Sequence, residues 1–401
     1  MCSRMAQVGI DAIGIAVPHA YLDLADLAEA RGIPPSKYIE GLGVRRMAVA
    51  ATWEDPVALA VNAARRLFAS AAADPEQVGL CIVGTETAVD HSKPIAAWLH
   101  RLVGLPQRAR SYEAKHACFG GTAGLLTAID WILSGSARGR TALVVCTDIA
   151  RYPLRSAGEP TQGAGAVALL VSARPRLLTL EPGVSGSYTS EVNDFWRPLH
   201  RKDAVVDGHH SVDCYLDALA GAYRAWKETC ATADVHGELA RRVYHVPYGK
   251  MARKAHRHSR MLDGLGEAEA DATFAEQVGT SLAFPSEVGN IYTGSLYLAL
   301  ASLLHHEGRI IEGQRIGLFS YGSGCVAEYF AGRVATGASA FASQLKLDAA
   351  LTDRRRCTIA EYEAIRALDP VADTRPVGEH PARSGEVAFA GVDGERRVYM
   401  G

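Results

Sequence analysis

The sequence predicts an α/β fold, and three observations carry this prediction. Strand-like and helix-like segments alternate along the chain, which is typical of α/β proteins. Features of the first half recur in the same order in the second half, which indicates a duplicated unit. Hydrophobic residues make up 48% and charged residues 21% of the 401 residues, which excludes disordered and fibrous classes.

Four elements of the first half are indicated by their residue patterns. Asp55 followed by proline has the order of a helix N-cap and first helical position, and predicts a helix over residues 56–68. Leu80–Val83 and Thr141–Cys146 are apolar or β-branched runs that are typical of buried strands. Between them, Phe119–Leu133 is apolar nearly all round, which predicts a helix that is buried on all faces.

The second half repeats three features of the first. A G-x-G-x-V-A pattern that begins at Gly163 returns at Gly322. A second apolar helix is predicted over Leu296–Leu304, and the strand Val243–Val246 is the counterpart of Leu80–Val83. Because the three matches keep one order, they predict two α/β halves of similar structure.

The seam between the halves is predicted near residues 174–182, which divides the chain into 1–175 and 176–401. The two buried helices, one from each half, would then lie back to back between two sheets. The segment after Ala335 has a mixed composition, and we expect it to form only peripheral elements.

Charge and hydropathy exclude several functional classes. Lys and Arg total 42 against 44 for Asp and Glu, with no block of like charge, so no nucleic-acid partner is expected. The longest uncharged apolar stretches, Thr161–Ala173 and Gly294–Leu304, are shorter than the ~20 residues of a membrane span. Asp11 interrupts the apolar run near the N-terminus, which lacks a basic leader, so no secretory signal is expected.

The eight cysteines indicate a reducing compartment. They form no C-x-x-C pair and no zinc-ligand spacing, so no metal site is predicted. Cys81, Cys146 and Cys325 lie in apolar segments, as buried reduced thiols do. We therefore expect a cytoplasmic protein in which at most one cysteine is reactive.

Cys118 is the candidate for that reactive thiol. It lies at the entrance of the first buried helix, where free N–H groups and the helix dipole stabilise a thiolate and lower its pKa. Gly120 and Gly121 follow it and would allow a backbone or a thioester to approach closely. The alternative is that Cys118 is a small buried hydrophobic residue.

Three further residues occupy comparable positions in the two halves. Glu86 follows the strand Leu80–Val83, where a carboxylate either pairs with a cation or acquires a raised pKa that suits a general base. His245 holds the equivalent point in the second half, although a histidine after a strand can also be a hydrogen-bonded core residue. Asn290 opens the second buried helix and could donate to a substrate carbonyl or cap the helix.

Two other motifs have less specific chemistry. Ser323 lies between glycines without a G-x-S-x-G nucleophile motif, so the turn is predicted to present a backbone N–H as an oxyanion donor. The one local excess of positive charge is either a solvated helix face or a site for a phosphorylated ligand. Its members include Lys250, Arg253, Lys254 and Arg257.

Taken together, these motifs resemble those of the 3-hydroxy-3-methylglutaryl-CoA synthase family over residues 8–332. The resemblance rests on Glu86, Lys115–Thr122, His245–Met251, Gly289–Thr293 and Ser320–Cys325, and further on Ala20–Asp23, Glu159–Gly165, Asp194–Pro198 and Val206–Gly208. It implies the thiolase fold, in which duplicated halves form a five-layered αβαβα sandwich, usually as a homodimer. It also implies the mevalonate route to isoprenoids.

The resemblance assigns a role to each candidate residue. Cys118 would be acetylated by acetyl-CoA, and Glu86 would take a proton from the acetyl methyl group. The enolate would attack acetoacetyl-CoA, whose ketone is polarised by His245 with Asn290. Backbone N–H groups of Cys118 and Ser323 would hold the thioester oxygen. The substrates would be coenzyme A thioesters, with no additional cofactor.

The N-terminal half would thus carry Glu86 and Cys118. The C-terminal half would carry the three hydrogen-bond donors, which are His245, Asn290 and Ser323. By resemblance, further substrate-binding residues are Phe119, Asp148, Asp194, Phe195 and Tyr292, and the CoA phosphates would meet Lys250, Arg253, Lys254 and Arg257. Two residues depart from the family pattern. His116 replaces a Glu, Asn or Gln, and Phe119 replaces a Tyr, which removes a hydroxyl near the acyl group.

Three other functions stay open at this point. A sister enzyme of polyketide assembly performs the same addition on a β-ketoacyl chain carried by an acyl carrier protein; the short spacing between Asp148 and Thr161 favours free CoA. A ketoacyl synthase of the same fold would need Glu86 less. An inactive scaffold would not need Cys118, Glu86 or His245.

Overall fold

The computed structural model describes residues 7–368 and 385–401, and these residues form an α/β structure. The strands are β1 (Gly9–Ala16), β2 (Ala20–Asp23), β3 (Arg46–Val49), β4 (Val78–Gly84), β5 (Arg110–Ala114), β6 (Thr141–Ile149), β7 (Ala164–Ser172), β8 (Leu178–Thr189), β9 (Phe195–Trp196), β10 (Val205–Val206), β11 (Arg241–Tyr244), β12 (Arg315–Gly322), β13 (Val326–Val334), β14 (Arg355–Arg356), β15 (Ala388–Asp393) and β16 (Arg396–Met400).

The helices connect and cover these strands. They are α1 (Leu24–Ala30), α2 (Ser36–Ile39), α3 (Pro56–Ala71), α4 (Ile95–Leu99), α5 (Gly120–Leu133), α6 (Gly208–Thr232), α7 (Gly249–Leu262), α8 (Glu267–Ala272), α9 (Phe274–Gln277), α10 (Ala283–Val288), α11 (Ser295–Ile311), α12 (Ala338–Leu345), α13 (Ala349–Thr352) and α14 (Ile359–Ala367). Within the described residues, no helix combines the length and apolar character that crossing a bilayer requires.

The central sheet repeats one strand pattern twice. Its order is β11-β12-β13-β8-β1-β7-β6-β4-β5. In the first half β4 is parallel to β6, and β7 is antiparallel to both β6 and β1. In the second half β11 is parallel to β12, and β13 is antiparallel to both β12 and β8. The same order with the same directions confirms the duplication inferred from the sequence.

Helices lie on both sides of each half-sheet. Helix α3 packs against β1 and β7, and α6 packs against β8 and β13 on the other outer face. Between the half-sheets lie α5, against β4 and β6, and α11, against β11 and β12. The Thr122 hydroxyl on α5 lies 2.7 Å from the Tyr297 hydroxyl on α11. This is the five-layered arrangement of the thiolase fold.

The local predictions are largely confirmed, with two corrections. Asp55 caps α3 by accepting from the Ala58 N–H at 2.8 Å. Strand β11 ends at Tyr244, earlier than predicted, so His245 lies in the loop beyond it. The prediction that α5 is buried on all faces is wrong for its second half, where Thr127, Asp130 and Leu133 are exposed.

The segment after Ala335 is more than a peripheral addition. Strand β14 pairs in parallel with β2, and Tyr362 on α14 is 2% exposed. The Asn62 amide on α3 donates to the Val387 carbonyl at 2.9 Å, and the Arg397 guanidinium donates to Asp55 at 2.7 Å. The prediction of purely peripheral elements failed because mixed composition does not show which side chains pack inward.

Candidate active site

The site is organised around a contact between Cys118 and Glu86. The Cys118 thiol donates to Glu86 Oε1 at 3.2 Å. Cys118 lies between β5 and α5, directly after Ala117, whose φ of 40° is in the left-handed region. Non-glycine residues rarely adopt this conformation, and its cost is characteristic of sites where a side chain must point in a required direction.

Glycines make this contact sterically possible. A Cβ at Gly84 would lie 2.3 Å from the Gly121 nitrogen, so only glycine allows the end of β4 to meet the first turn of α5. Gly121 is equally restricted, because a Cβ there would lie 2.3 Å from the Cys146 sulfur. The close approach predicted at Gly120 and Gly121 is therefore made by the protein's own backbone.

Asp148, at the end of β6, fixes the loop that carries Glu86. Its Oδ1 accepts from the Glu86 N–H at 2.9 Å and from the Thr87 N–H at 3.0 Å. The hydroxyls of Thr85 and Thr87 also donate to Oδ1, at 3.0 and 2.8 Å. Its Oδ2 accepts from the Thr293 hydroxyl at 2.5 Å and the Thr293 N–H at 3.1 Å. Asp148 thus binds protein groups from both halves and positions Glu86.

Burial sets the proton affinities of the pair. Removal from water, followed by repulsion from Asp148, raises the pKa of Glu86 to about 8. Burial and the carboxylate of Glu86 raise the pKa of the Cys118 thiol well above its ordinary value. The prediction that the helix N-terminus would lower this pKa is therefore wrong, because burial and nearby carboxylates outweigh the dipole. In the unliganded site, Cys118 holds its proton and shares it with Glu86.

His245 and Asn290 provide neutral hydrogen-bonding groups in the same cavity. Burial lowers the pKa of His245 to about 3, so its imidazole is neutral near pH 7. Asn290 is 3% exposed, and its Oδ1 accepts from the Tyr292 N–H at 2.9 Å and the Ser295 hydroxyl at 2.8 Å. The amide oxygen therefore serves as a cap, and the amide nitrogen remains as a donor. Asn290 can therefore cap the helix with its amide oxygen and also donate to a substrate carbonyl with its amide nitrogen.

Asp194 holds the turn that carries Ser323. This turn joins β12 to β13, and Ser323 lines the same cavity as Cys118. The fully buried Asp194 accepts from the Tyr321 hydroxyl at 2.7 Å and from the Gly324 N–H at 3.0 Å. Asp194, like Asp148, therefore supports the site by accepting hydrogen bonds from other groups of the protein.

The cavity has a volume of about 280 Å³ and an aromatic wall. Phe195 meets Tyr152 and Tyr292 edge to face, with ring centroids 6.1 and 5.6 Å apart. Cys118 belongs to the same apolar cluster as Phe195 and Tyr292. Sequence reasoning missed Tyr152, although its position four residues after Asp148 was a usable signal.

Other members of the predicted set lie outside this wall. Phe119 is buried against the Ser323 turn, where a Cβ at Gly322 would lie 2.7 Å from the Phe119 Cβ. It does not line the cavity, so its contribution to the site passes through that turn. His116 is close to the same turn, and burial lowers the pKa of its imidazole.

The basic run lies on α7, and its members differ in their partners. The Arg257 guanidinium donates to Glu267 at 2.5 Å and to both oxygens of Asp271, which neutralises its charge. Arg253 is exposed, with its guanidinium 4.5 Å from the centre of the Phe274 ring. The ammonium groups of Lys250 and Lys254 make no hydrogen bond or ion pair within residues 7–368 and 385–401. The prediction that Arg257 binds an external phosphate conflicts with its ion pairs.

Among the described residues, no cluster of three or more His, Cys, Asp or Glu side chains has the arrangement of a metal site. The seven described cysteines are all free and buried, and Cys2 lies outside the described residues. Cys81, Cys146 and Cys325 are at most 2% exposed, as predicted.

Comparison with known proteins identifies relatives along nearly the whole chain. The sequence model described as "Hydroxymethylglutaryl-coenzyme A synthase N terminal" matches residues 4–175. The corresponding C-terminal model matches residues 178–265 and 258–372. The hydroxymethylglutaryl-CoA synthase of Enterococcus faecalis is 41% identical over 360 residues, which cover 90% of this chain and 91% of that protein.

Solved structures show the same relationship. The structure of MvaS in complex with 3-hydroxy-3-methylglutaryl coenzyme A matches with a TM-score of 0.95 and 48% identity, covering 98% of this chain and 99% of that one. The polyketide biosynthesis 3-hydroxy-3-methylglutaryl-ACP synthase PksG of Bacillus subtilis is 33% identical, covering 90% of this chain and 88% of that protein. The HMG synthase of the curacin pathway, in complex with an acetyl donor-ACP, has a TM-score of 0.87 at 32% identity, covering 98% of this chain and 99% of that one.

Proposed function

The chain belongs to the hydroxymethylglutaryl-CoA synthase family, and we propose that it condenses acetyl-CoA with acetoacetyl-CoA to 3-hydroxy-3-methylglutaryl-CoA. The observation that carries this proposal is the 3.2 Å contact between the Cys118 thiol and Glu86 in a cavity that also contains His245 and Asn290. A nucleophile, a base and two neutral hydrogen-bonding groups are the parts required by an aldol-type addition that proceeds through an acyl-enzyme.

The first step is acetyl transfer to Cys118. Sulfur attacks the thioester carbonyl of acetyl-CoA as the thiol proton passes to Glu86 along their hydrogen bond. The carbon–sulfur bond to CoA then breaks, and the proton leaves with the CoA thiol. The raised pKa of the Cys118 thiol makes this coupled transfer necessary, because little free thiolate exists near pH 7.

The second step forms the carbon–carbon bond. Ionised Glu86 takes a proton from the methyl group of acetyl-Cys118, and the resulting enolate attacks the ketone carbon of acetoacetyl-CoA. The ketone oxygen gains negative charge, which His245 and Asn290 stabilise by hydrogen bonding, and it then receives the proton that Glu86 took from the methyl group. Each well-placed oxyanion donor typically contributes about 3 kcal/mol to such a transition state.

The final step is hydrolysis of the thioester at Cys118. Water adds to the carbonyl carbon and the bond to sulfur breaks. One proton of the water returns to the thiol, the other is released to solvent, and the product leaves as a free carboxylate. In this assignment the backbone N–H groups of Cys118 and Ser323 hold the carbonyl oxygen, and Asp194 supports them by fixing the Ser323 turn. Coenzyme A thioesters are the substrates, and no further cofactor takes part.

The rival acceptor is a β-ketoacyl chain on an acyl carrier protein, and the relative PksG is named as a 3-hydroxy-3-methylglutaryl-ACP synthase of polyketide biosynthesis. The higher identity to the Enterococcus enzyme, 41% against 33%, favours free CoA. So does the short connection from Asp148 to Thr161. We therefore assign the protein to the mevalonate route in the cytoplasm.

We also assign a homodimer to this chain. Strand β5 forms one edge of the central sheet, and its residues are only partly covered. The exposed second half of α5 follows in sequence and includes Leu133, 37% exposed. A partly covered edge strand followed by a helix with an exposed leucine is typical of a surface that a second copy covers. Sedimentation at micromolar concentration should give twice the mass of one chain, and a monomer would contradict the assignment.

The test of function follows loss of the acetoacetyl enolate absorbance after addition of acetyl-CoA. We expect prompt consumption and formation of 3-hydroxy-3-methylglutaryl-CoA, identified by mass. Omission of acetyl-CoA is the control. If acetyl-Cys118 forms while acetoacetyl-CoA stays untouched, a carrier-protein acceptor replaces free acetoacetyl-CoA. If no acetyl-enzyme forms, the scaffold function is supported instead.

A further inference from the structure

We infer that helix α14 is a positioning element for the substrate cavity, which it controls by holding Tyr152 in the aromatic wall through Arg366 and Tyr362. This inference rests on the proposed condensation. It assigns a role in that reaction to a segment that lies beyond the motifs of the resemblance.

Both backbone polar groups of Tyr152 are held by α14 or by a side chain bonded to it. The Arg366 guanidinium donates to the Tyr152 carbonyl at 2.7 Å. The Tyr152 N–H donates to Gln162 Oε1 at 2.9 Å, and Gln162 Nε2 lies 2.7 Å from the Tyr362 hydroxyl oxygen, to which it donates. The N–H and the carbonyl of Tyr152 belong to the two peptide units on either side of its Cα. Because both are hydrogen-bonded, the backbone at Tyr152 cannot rotate freely, and the direction of its ring depends on these two contacts.

Arg366 also joins the two segments that form the aromatic wall. The same terminal nitrogen lies 3.0 Å from Asp203, just before β10. Strand β10 pairs with β9, which contains Phe195. Tyr152 and Phe195, whose ring centroids are 6.1 Å apart, are therefore connected behind the wall through one guanidinium. The Arg366 side chain is 9% exposed, so these contacts are little screened by water.

The other end of the contact chain is anchored in the N-terminal half. The Tyr362 hydroxyl donates to Glu159 Oε1 at 3.2 Å, and Arg31 donates to both oxygens of Glu159 at 2.9 and 2.7 Å. Arg31 also pairs with Glu363 of α14 at 2.9 Å. Because Tyr362 and Glu159 are at most 2% exposed, loss of one hydrogen-bonding partner would leave others buried and unsatisfied.

This arrangement separates positioning from chemistry. The Cys118–Glu86 contact is held by Asp148 and the glycines of β4 and α5, none of which touches α14. Disturbing α14 should therefore move the wall against which the second substrate rests while leaving the nucleophile and base in place. Displacing a substrate by about 1 Å can cost up to ~10²-fold in rate.

The test compares Arg366→Met with the conservative Arg366→Lys and with Tyr362→Phe. Arg355→Gln is the matched control, because it breaks an exposed ion pair to Glu361 on the same helix without approaching Tyr152. For each protein, the rate of Cys118 acetylation is measured by intact mass, and the kcat and KM for acetoacetyl-CoA are measured in condensation.

We expect Arg366→Met to raise the KM for acetoacetyl-CoA or lower kcat by roughly tenfold or more, with acetylation within about twofold of wild type. Arg366→Lys should recover part of the loss, Tyr362→Phe should show a smaller loss of the same kind, and Arg355→Gln should match wild type. Equal losses in acetylation and condensation, or no loss at all, would overturn the inference, since a structural role alone affects both steps together.

Hydrogen exchange provides a readout that does not depend on the reaction. Arg366→Met should accelerate amide exchange in peptides spanning residues 150–162 and leave residues 84–90 unchanged. If wild-type protein fails to condense acetoacetyl-CoA, the proposed function fails, but the exchange comparison still decides whether α14 holds this loop. Unchanged exchange in residues 150–162 would contradict the positioning role.

Discussion

The two halves of the molecule share a strand order but supply different chemistry to one cavity. The loop after β4 carries Glu86, and the loop after the corresponding strand β11 carries His245. In the proposed reaction the N-terminal half contributes the nucleophile and the base, which exchange a proton. The C-terminal half contributes an imidazole, an amide and a turn, which can act on oxygen without being charged. Duplication has thus produced a division between proton transfer and oxyanion stabilisation.

Burial shifts the pKa of one group in each half, Glu86 in the first and His245 in the second. Burial disfavours the charged form of each group, so it raises the pKa of Glu86 to about 8 and lowers that of His245 to about 3. The carboxylate therefore titrates near neutral pH and can accept and return a proton. The imidazole stays neutral throughout the physiological range. Burial therefore acts in opposite directions on the two groups, and in the proposed reaction it yields a base that titrates near neutral pH and an imidazole that stays neutral.

The halves are also tied together by reciprocal hydrogen bonds. Thr122 on α5 donates to Ser320 on β12 at 2.7 Å. In the other direction, Thr293 before α11 donates to Asp148 on β6. Each half thus donates a hydrogen bond to a buried residue of the other half.

The largest expected effect comes from removing the nucleophile of the N-terminal half. Cys118→Ala should abolish acetyl transfer to the protein, because no other described thiol lies against Glu86. Intact mass after incubation with acetyl-CoA measures this directly. Cys357→Ala, which removes a thiol from a separate buried cluster, should be acetylated normally. Acetylation of the Cys118→Ala variant would show that another residue is the nucleophile.

Removing the base should separate the two steps of the reaction. Glu86→Ala should still be acetylated, although more slowly because the thiol loses its acceptor, yet condensation should fall by about 10²–10⁴-fold. Product formation from the isolated acetyl-enzyme measures the second step alone. Glu113→Gln is the control, since this partly buried carboxyl accepts from the Ile95 N–H and does not contact Cys118. Near-normal condensation by the Glu86 variant would remove its role as base.

Most of the fold and the principal candidates could be predicted from the sequence. The strands around Leu80 and Thr141, the helix cap at Asp55 and the repeat at Gly163 and Gly322 follow from local patterns, which short-range physics determines. Cys118, Glu86, His245 and Asn290 were identifiable because each stands at the end of a buried element. Pseudosymmetry then brings those ends together.

The remainder depended on contacts between distant residues. The sequence could not show that Asp148 binds groups from both halves, because its partners are 61–145 residues away. The raised thiol pKa was missed for the same reason: local helix position indicated a thiolate, whereas the carboxylates that oppose it come from other loops. Tyr152 and Arg366 meet across 214 residues, beyond the reach of any local pattern.

A third experiment tests the donor side. Asn290→Ala should lower condensation by about 10²–10³-fold, as loss of one oxyanion donor does, with acetylation less affected. Ser295→Ala is the matched variant, because it removes a hydroxyl that donates to Asn290 while leaving the amide. It should cost less than about tenfold. If both variants lose equal activity, Asn290 acts mainly as a cap.

The pH profile tests the opposite pKa shifts. Glu86 must be ionised to take a proton, so condensation should rise about tenfold per pH unit up to its pKa of about 8 and then level off. His245 should add no limb above pH 5, because its pKa of about 3 keeps it neutral there. Single-turnover rates from pH 6 to about 9.5 measure the curve. A midpoint near the ordinary value of a glutamate, or a second limb between about pH 6 and 7, would contradict one of the two shifts.

The smallest effect concerns how the C-terminal half receives the CoA moiety. The ammonium groups of Lys250 and Lys254 lack partners among the described residues, whereas Arg257 is neutralised by Asp271 and Glu267. Replacing both lysines by glutamine should therefore raise the KM for acetyl-CoA by about fivefold at low salt and less at high salt, since exposed charges contribute up to about 1 kcal/mol each. Arg257→Gln should leave this KM within about twofold, because its charge is already paired. Steady-state kinetics at two ionic strengths decides the matter. A larger effect from Arg257→Gln than from the lysine pair would show that Arg257 binds the CoA phosphates and that its ion pairs open when CoA binds.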